Sequence, residues 1–184
     1  MFAGSRYSPN LARIILAAKE GNQIQARLFL AEHLTKSLLS ALKNMSEQSN
    51  WEIETVVIIP IPSRKSADRK RGFAHVELLV DQLVKMNPNL KIELLNCLRH
   101  TKKISEQSSL NFSERAMNMK GAFAVDLIKY LEIYPIKNSK SVVFIVDDLV
   151  TSGATVQAAN LALSTLGGRV DGVLASCATD GFTH

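Results

Sequence analysis

Two apolar runs constrain this chain more than anything else in it. Residues 54–61 read ETVVIIPI and residues 141–146 read SVVFIV. Both are near-continuous and rich in β-branched residues, with no polar alternation. A strand exposed on one face alternates; one buried on both faces does not. The two runs therefore predict strands in the middle of a sheet covered on both sides. The intervening and following segments carry helical spacing. Apolar Phe73, Val76, Leu79, Val80 and Leu83 predict a helix over 73–85, closed by Asn87-Pro88-Asn89. Residues 154–166 predict another, stopped by Gly167-Gly168. Further strands are expected over 90–95, 121–125 and 169–178. Strands alternating with helices imply an α/β fold, a mainly parallel open sheet flanked by helices and joined by right-handed crossovers.

Before Trp51 the pattern is helical. Ser8-Pro9-Asn10 starts a short helix through Ala18, Gly21-Asn22 breaks it, and apolar residues from Ile24 to Met45 recur at mostly helical spacing. This pair is expected to cover one edge of the sheet. The division is thus an N-terminal helical segment over 1–50 and an α/β core over 51–184.

Composition excludes several classes. With 184 residues and 46% apolar content the chain can bury a core without staples. The two cysteines, Cys97 and Cys177, form no CxxC pair, so a zinc ribbon is excluded and buried thiols are expected. No run approaches the roughly 20 apolar residues that span a bilayer, and MFAGSRYSPN lacks a signal-peptide core. A cytoplasmic protein without membrane insertion is expected. The net charge of +5 hints at anionic partners without choosing among them.

Chemistry concentrates in three blocks. In VVFIVDDLVTSGAT, residues 142–155, a strand runs into Asp147-Asp148, a small-residue turn and a helix. Ligands of open parallel sheets bind beyond the carboxyl ends of the strands. Thr151, Ser152, Gly153 and Ala154 let backbone N–H groups close on an anion, Thr155 adds a hydroxyl, and the helix N-terminus adds about half a positive charge. The acids suit a cation or sugar hydroxyls. An ordinary helix cap is the plain alternative. Neither a GxxxxGK[ST] loop nor a GxGxxG turn is present. The second block, PIPSRKSADRKRGF over 60–73, follows the first apolar run; five of the eight residues from Arg64 to Arg71 are basic. Alone it reads as a solvated charge run, and beside a phosphate turn it reads as an anion-binding loop in which Arg suits bidentate oxygen recognition. The third, residues 98–123, is polar and basic, and reads as a surface loop or a lid.

The first block resembles the phosphoribosyl pyrophosphate (PRPP) signature of type I phosphoribosyltransferases. All three blocks together resemble the ComF family of these proteins, through Pro60, Pro62, Arg71, Gly72 and Phe73; Arg99, Thr101, Gln107, Leu110, Arg115, Asn118, Ala122 and Phe123; and Asp147 to Thr155. The family's usual Asn-Gln after Arg-Gly-Phe is replaced by Ala74-His75, and the four-Cys zinc ribbon of many members is lacking.

The resemblance implies a type I phosphoribosyltransferase fold in which residues 8–48 form a hood, and a glycosyltransferase releasing pyrophosphate to an unspecified acceptor. It implies ribose hydroxyls at Asp147 and Asp148, directly or through Mg²⁺, and a 5′-phosphate cradled by Thr151 to Thr155. Pyrophosphate would lie on the 62–71 loop, with Pro62, Ser63, Arg64 and Arg71. The 99–120 segment would be a lid, with Arg99, Thr101, Gln107 and Arg115 as catalytic candidates. The alternative it implies is a DNA-uptake or recombination protein that binds PRPP without turnover. Single-stranded DNA, a competence helicase and a second copy of the chain are then candidate partners. His75 and His100 are weak candidates for a general base.

Overall fold

The computed structural model describes residues 1–48, 52–101, 121–133 and 140–179. Its element order is β1 (Phe2–Ala3), α1 (Pro9–Lys19), α2 (Ile24–Gln48), β2 (Thr55–Pro60), α3 (Lys65–Arg71), α4 (His75–Met86), β3 (Ile92–Leu94), β4 (Leu98–His100), β5 (Phe123–Val125), α5 (Leu127–Ile133), β6 (Ser141–Val150), α6 (Ala154–Ser164) and β7 (Gly172–Ala178). Five strands form one sheet in the order β1-β7-β6-β2-β3, parallel at every pairing, and β4 and β5 form a separate antiparallel pair. This is the α/β architecture that the two apolar runs predict.

Those runs supply the neighbouring central strands β2 and β6, in register from Thr55↔Ser141 to Pro60↔Val146. All six residues of β2 are buried. Alternate side chains serve opposite faces. Val56 and Ile58 join Val142, Phe144 and Val146 under α1, α2 and α4, where Ile15, Leu34 and Leu79 complete one core. Val57, Ile59, Val143 and Ile145 pack on the other face against Val156, Ala159 and Leu163 of α6 and Phe123 of β5. Each such Val or Ile contributes about 1.5–3 kcal/mol by burial.

Local signals set the helix ends. Ser8 accepts a hydrogen bond from the Leu11 N–H at 3.2 Å and Pro9 opens α1. Asn22, at φ 51°, turns the chain between α1 and α2.

Four expectations need correction. The helical pair α1–α2 covers a face of the sheet rather than an edge, because its apolar stripe must meet Val142, Phe144 and Val146. The edge is taken by β1, which pairs with β7 and was not visible as a strand in the sequence. The basic 62–71 loop contains the helix α3, closed by Gly72 at φ 81°, and the next helix starts at His75 rather than Phe73. The strand expected over 141–146 continues to Val150, so Asp147 and Asp148 belong to the strand itself. No helix among the described residues is long and apolar enough to cross a membrane.

Candidate functional site

The carboxyl ends of β2 and β6 open on a cavity of about 510 Å³. It brings together Asp147, Asp148, Thr151 and Thr155 from the β6–α6 block and Pro62, Ser63, Arg64 and Arg71 from the β2–α3 block. Two blocks more than seventy residues apart in sequence meet there because their strands are laddered to one another. The end of α1 completes the wall with Lys19 and Glu20.

The turn after β6 is built for close backbone approach. Gly153 caps α6 at φ 72°, a conformation that favours glycine. Ser152 Oγ accepts from the Ala154 N–H at 3.4 Å, and Thr179 Oγ1 donates to the Thr151 carbonyl at 2.9 Å. The first turn of α6 carries no acidic residue, so the positive end of its dipole is not offset locally. These features suit an anion at 151–155.

The acid pair is asymmetric. Asp148 continues the series Val142, Phe144, Val146 that faces α1, α2 and α4. Lys19 Nζ of α1 lies 3.1 Å from its Oδ2, and Nε2 of the fully buried His75 of α4 lies 3.4 Å from the same oxygen. Its Oδ1 accepts from the Leu149 N–H at 2.8 Å. Burial alone would raise the Asp148 carboxyl, but His75 and Lys19 outweigh it and hold it well below the usual carboxylate range. Asp147 goes the other way: burial first, then the Asp148 charge, push it well above that range. At neutral pH one acid is firmly ionised and the other holds its proton more tightly.

No group of three or more His, Cys, Asp or Glu among the described residues is arranged to hold a metal, so the two carboxylates do not belong to a protein cage for one. They do fit Mg²⁺, which is commonly held by one or two carboxylates plus substrate phosphates and waters.

Arg71 is not a free anion hook. Its guanidinium, 4% exposed, lies 3.1 Å from both Glu20 Oε1 and Asp68 Oδ1. Phe73 is covered by the guanidinium of Arg27, 5.6 Å above its ring, which fixes the turn after Gly72.

Other expected residues do not join the cavity. Arg99 is exposed on β4, opposite Ala124 of β5, and Thr101 Oγ1 donates to the Gly121 carbonyl. His100 does reach it, and its Nε2–H donates to the Pro62 carbonyl at 2.9 Å while its ring packs on Phe123. Burial pushes its pKa down, and its hydrogen bond pins the Pro62 turn to β4. Gln107, Leu110, Arg115 and Asn118 lie outside the described residues. Both cysteines are buried and free.

Sequence reasoning missed Lys19 and Glu20, and gave His75 only a weak role as a base. A charged pair before a Gly-Asn break carries no local sign of its partners, 129 and 51 residues away. For His75 the signal was its place directly after Arg-Gly-Phe-Ala. Neither the protein-family models nor the curated proteins searched match this chain.

Proposed function

We propose that this protein binds PRPP and transfers its phosphoribosyl group to an acceptor, releasing pyrophosphate. One observation carries the reading. The strand–acid pair–small-residue turn–helix of residues 142–155 shares one cavity with the Pro62–Arg71 turn. A ligand with a phosphate, two vicinal hydroxyls and a diphosphate has a matching surface for each part. The turn at 151–155 holds the 5′-phosphate through backbone N–H groups and hydroxyls. The acid pair takes the ribose hydroxyls. Ser63, Arg64 and Arg71 face the diphosphate. Mg²⁺ held by Asp147 and Asp148 would supply the electrostatic stabilisation that lets pyrophosphate leave. The chain's own residues orient C1 and neutralise the leaving charge.

A second reading rests on α3, where Lys65, Arg69 and Lys70 are exposed beside the cavity mouth. Such a basic stripe suits a polyanion, and a ComF-type protein that uses PRPP for binding would take single-stranded DNA there, with a helicase as its working partner. Calorimetric titration with PRPP, with and without Mg²⁺, tests the first reading. Mg²⁺-dependent micromolar binding supports it. No binding, together with steeply salt-dependent affinity for single-stranded DNA, replaces it by the second.

A further inference from the structure

The last turn of α1 delivers two adjacent residues of opposite charge to the two charged walls of the cavity. Lys19 pairs with Asp148 and Glu20 pairs with Arg71, each at 3.1 Å. Burial divides these partners unequally. The wall residues are fixed, with Asp148 5% and Arg71 4% exposed at their side chains, while Lys19 is 38% and Glu20 46% exposed. Asp148 and Arg71 also have second anchors, His75 and Asp68. The backbone carrying Lys19 and Glu20 is held: the Glu20 N–H donates to the Leu16 carbonyl at 2.8 Å, and a Cβ on Gly21 would lie 2.8 Å from the Ala17 carbonyl oxygen. The two side chains can therefore swing into solvent while the walls and the helix stay in place.

We propose that Lys19-Glu20 is a charge gate that occupies both poles of the site, Lys19 standing where a cation belongs and Glu20 where an anion belongs. This inference rests on the proposed PRPP reading and adds to it a rule of selectivity. A ligand that brings a divalent cation and a polyphosphate together replaces both contacts at once. A bare phosphate replaces Glu20 alone and meets an acid pair still neutralised by Lys19. The gate thus favours metal–polyphosphate ligands over simple phosphates and keeps the buried Asp148 and Arg71 compensated in their absence, which matters because an uncompensated buried charge is costly.

The test is calorimetric titration of the full chain and its Lys19→Met and Glu20→Gln variants with PRPP and, separately, with inorganic pyrophosphate, over a range of Mg²⁺ concentrations. Thermal melts of each variant check folding, which half-exposed side chains should not disturb. Glu20→Gln should bind pyrophosphate about two- to fivefold more tightly, the scale of one half-exposed ion pair. Lys19→Met should lower, by a similar factor, the Mg²⁺ concentration needed for half-maximal PRPP binding. PRPP binding that is unchanged or weakened in both variants overturns the gate and leaves the PRPP reading standing, since Lys19 and Glu20 would then be bystanders or ligand contacts. Tighter pyrophosphate binding by Glu20→Gln with no PRPP binding by any protein keeps the gate and removes the ribose reading. Silence toward both ligands in all three proteins overturns both.

Discussion

Replacing Asp148 by Asn should destabilise the protein, whereas replacing its neighbour Asp147 by Asn should not. Asp148 is buried and has two basic neighbours, Lys19 at 3.1 Å and His75 at 3.4 Å. Lys19 is more than a third exposed, so solvent screening limits that pair to about 0–1 kcal/mol. The His75 contact lacks the alignment of a hydrogen bond, so it falls at or below the low end of the about 1.5–3 kcal/mol that a hydrogen bond to a charged group contributes. Relief of the carboxylate's own desolvation offsets part of the loss. The net cost of Asp148→Asn is about 1–2 kcal/mol, which for a chain of this size lowers Tm by roughly 2–8 °C. For Asp147 the sign reverses, because burial and the Asp148 charge oppose its ionisation. Linkage separates the two by pH. The Asp148 carboxyl is depressed in the fold, so its contribution is present above the unfolded value near about 4 and lost as pH falls further. The Asp147 carboxyl is raised, so it favours the fold only at low pH and costs stability as pH rises through its folded value. Circular-dichroism melts at neutral pH should show Asp148→Asn below the parent protein and Asp147→Asn at or above it. The Asp147→Asn gain should vanish near about pH 4. Equal shifts for both variants, or a larger loss for Asp147→Asn, would refute the asymmetric pair.

The same raised Asp147 carboxyl must lose its proton before it can hold a cation. Mg²⁺-dependent PRPP affinity should therefore rise with pH, with proton release seen as a buffer-dependent heat in calorimetry, and Asp147→Asn should abolish that release. Gly153→Val places a β-branched residue at φ 72°, costing about 1–2 kcal/mol in a denaturant titration and removing ribose 5-phosphate binding at the turn. Gly4→Ala puts a Cβ 1.8 Å from the His33 carbonyl oxygen of α2, so β1 must leave its place against β7, and urea unfolding should register a loss of about 1–3 kcal/mol. Cys97 and Cys177 are wholly buried, and burial pushes their pKa values up to about 11 and about 12, so both should resist a thiol reagent until the protein is unfolded.

What was legible in the sequence was local. The central strands β2 and β6 announce themselves through apolar runs that only a doubly covered sheet can bury, and the turn into α6 through Thr, Ser and Gly at successive positions. α1 shows its start in Ser8-Pro9. α3 was legible in principle: Lys-Ser-Ala-Asp-Arg-Lys-Arg is a run of mostly good helix formers closed by Gly72, but its charge hid it as a loop. β1 was not legible. Two residues carry no period, and the strand exists because β7 offers an edge and Ser37 Oγ of α2 donates to the Phe2 carbonyl at 2.7 Å. Arg71 was legible as a site residue, but its engagement by Glu20 was not, because ion pairs across 51 residues depend on how α1 lies over the sheet.

That dependence locates where selectivity can reside. The β6–α6 turn and the acid pair are set by strand register and by a glycine cap, and they would present a phosphate cradle whatever covered the sheet. The charge that a ligand meets is set instead by α1. With Lys19 in place the acid pair presents less negative charge to a cation, and with Glu20 in place Arg71 presents less positive charge to a diphosphate. Both side chains end a helix whose buried face, Leu11, Ile15 and Ala18, fixes its rotation on the core. The positions that tune the site are therefore anchored by the core that stabilises the fold. A change at Ile15 or Ala18 that rotates α1 would alter ligand affinity without touching any residue of the cradle, and it would do so through two ion pairs at once.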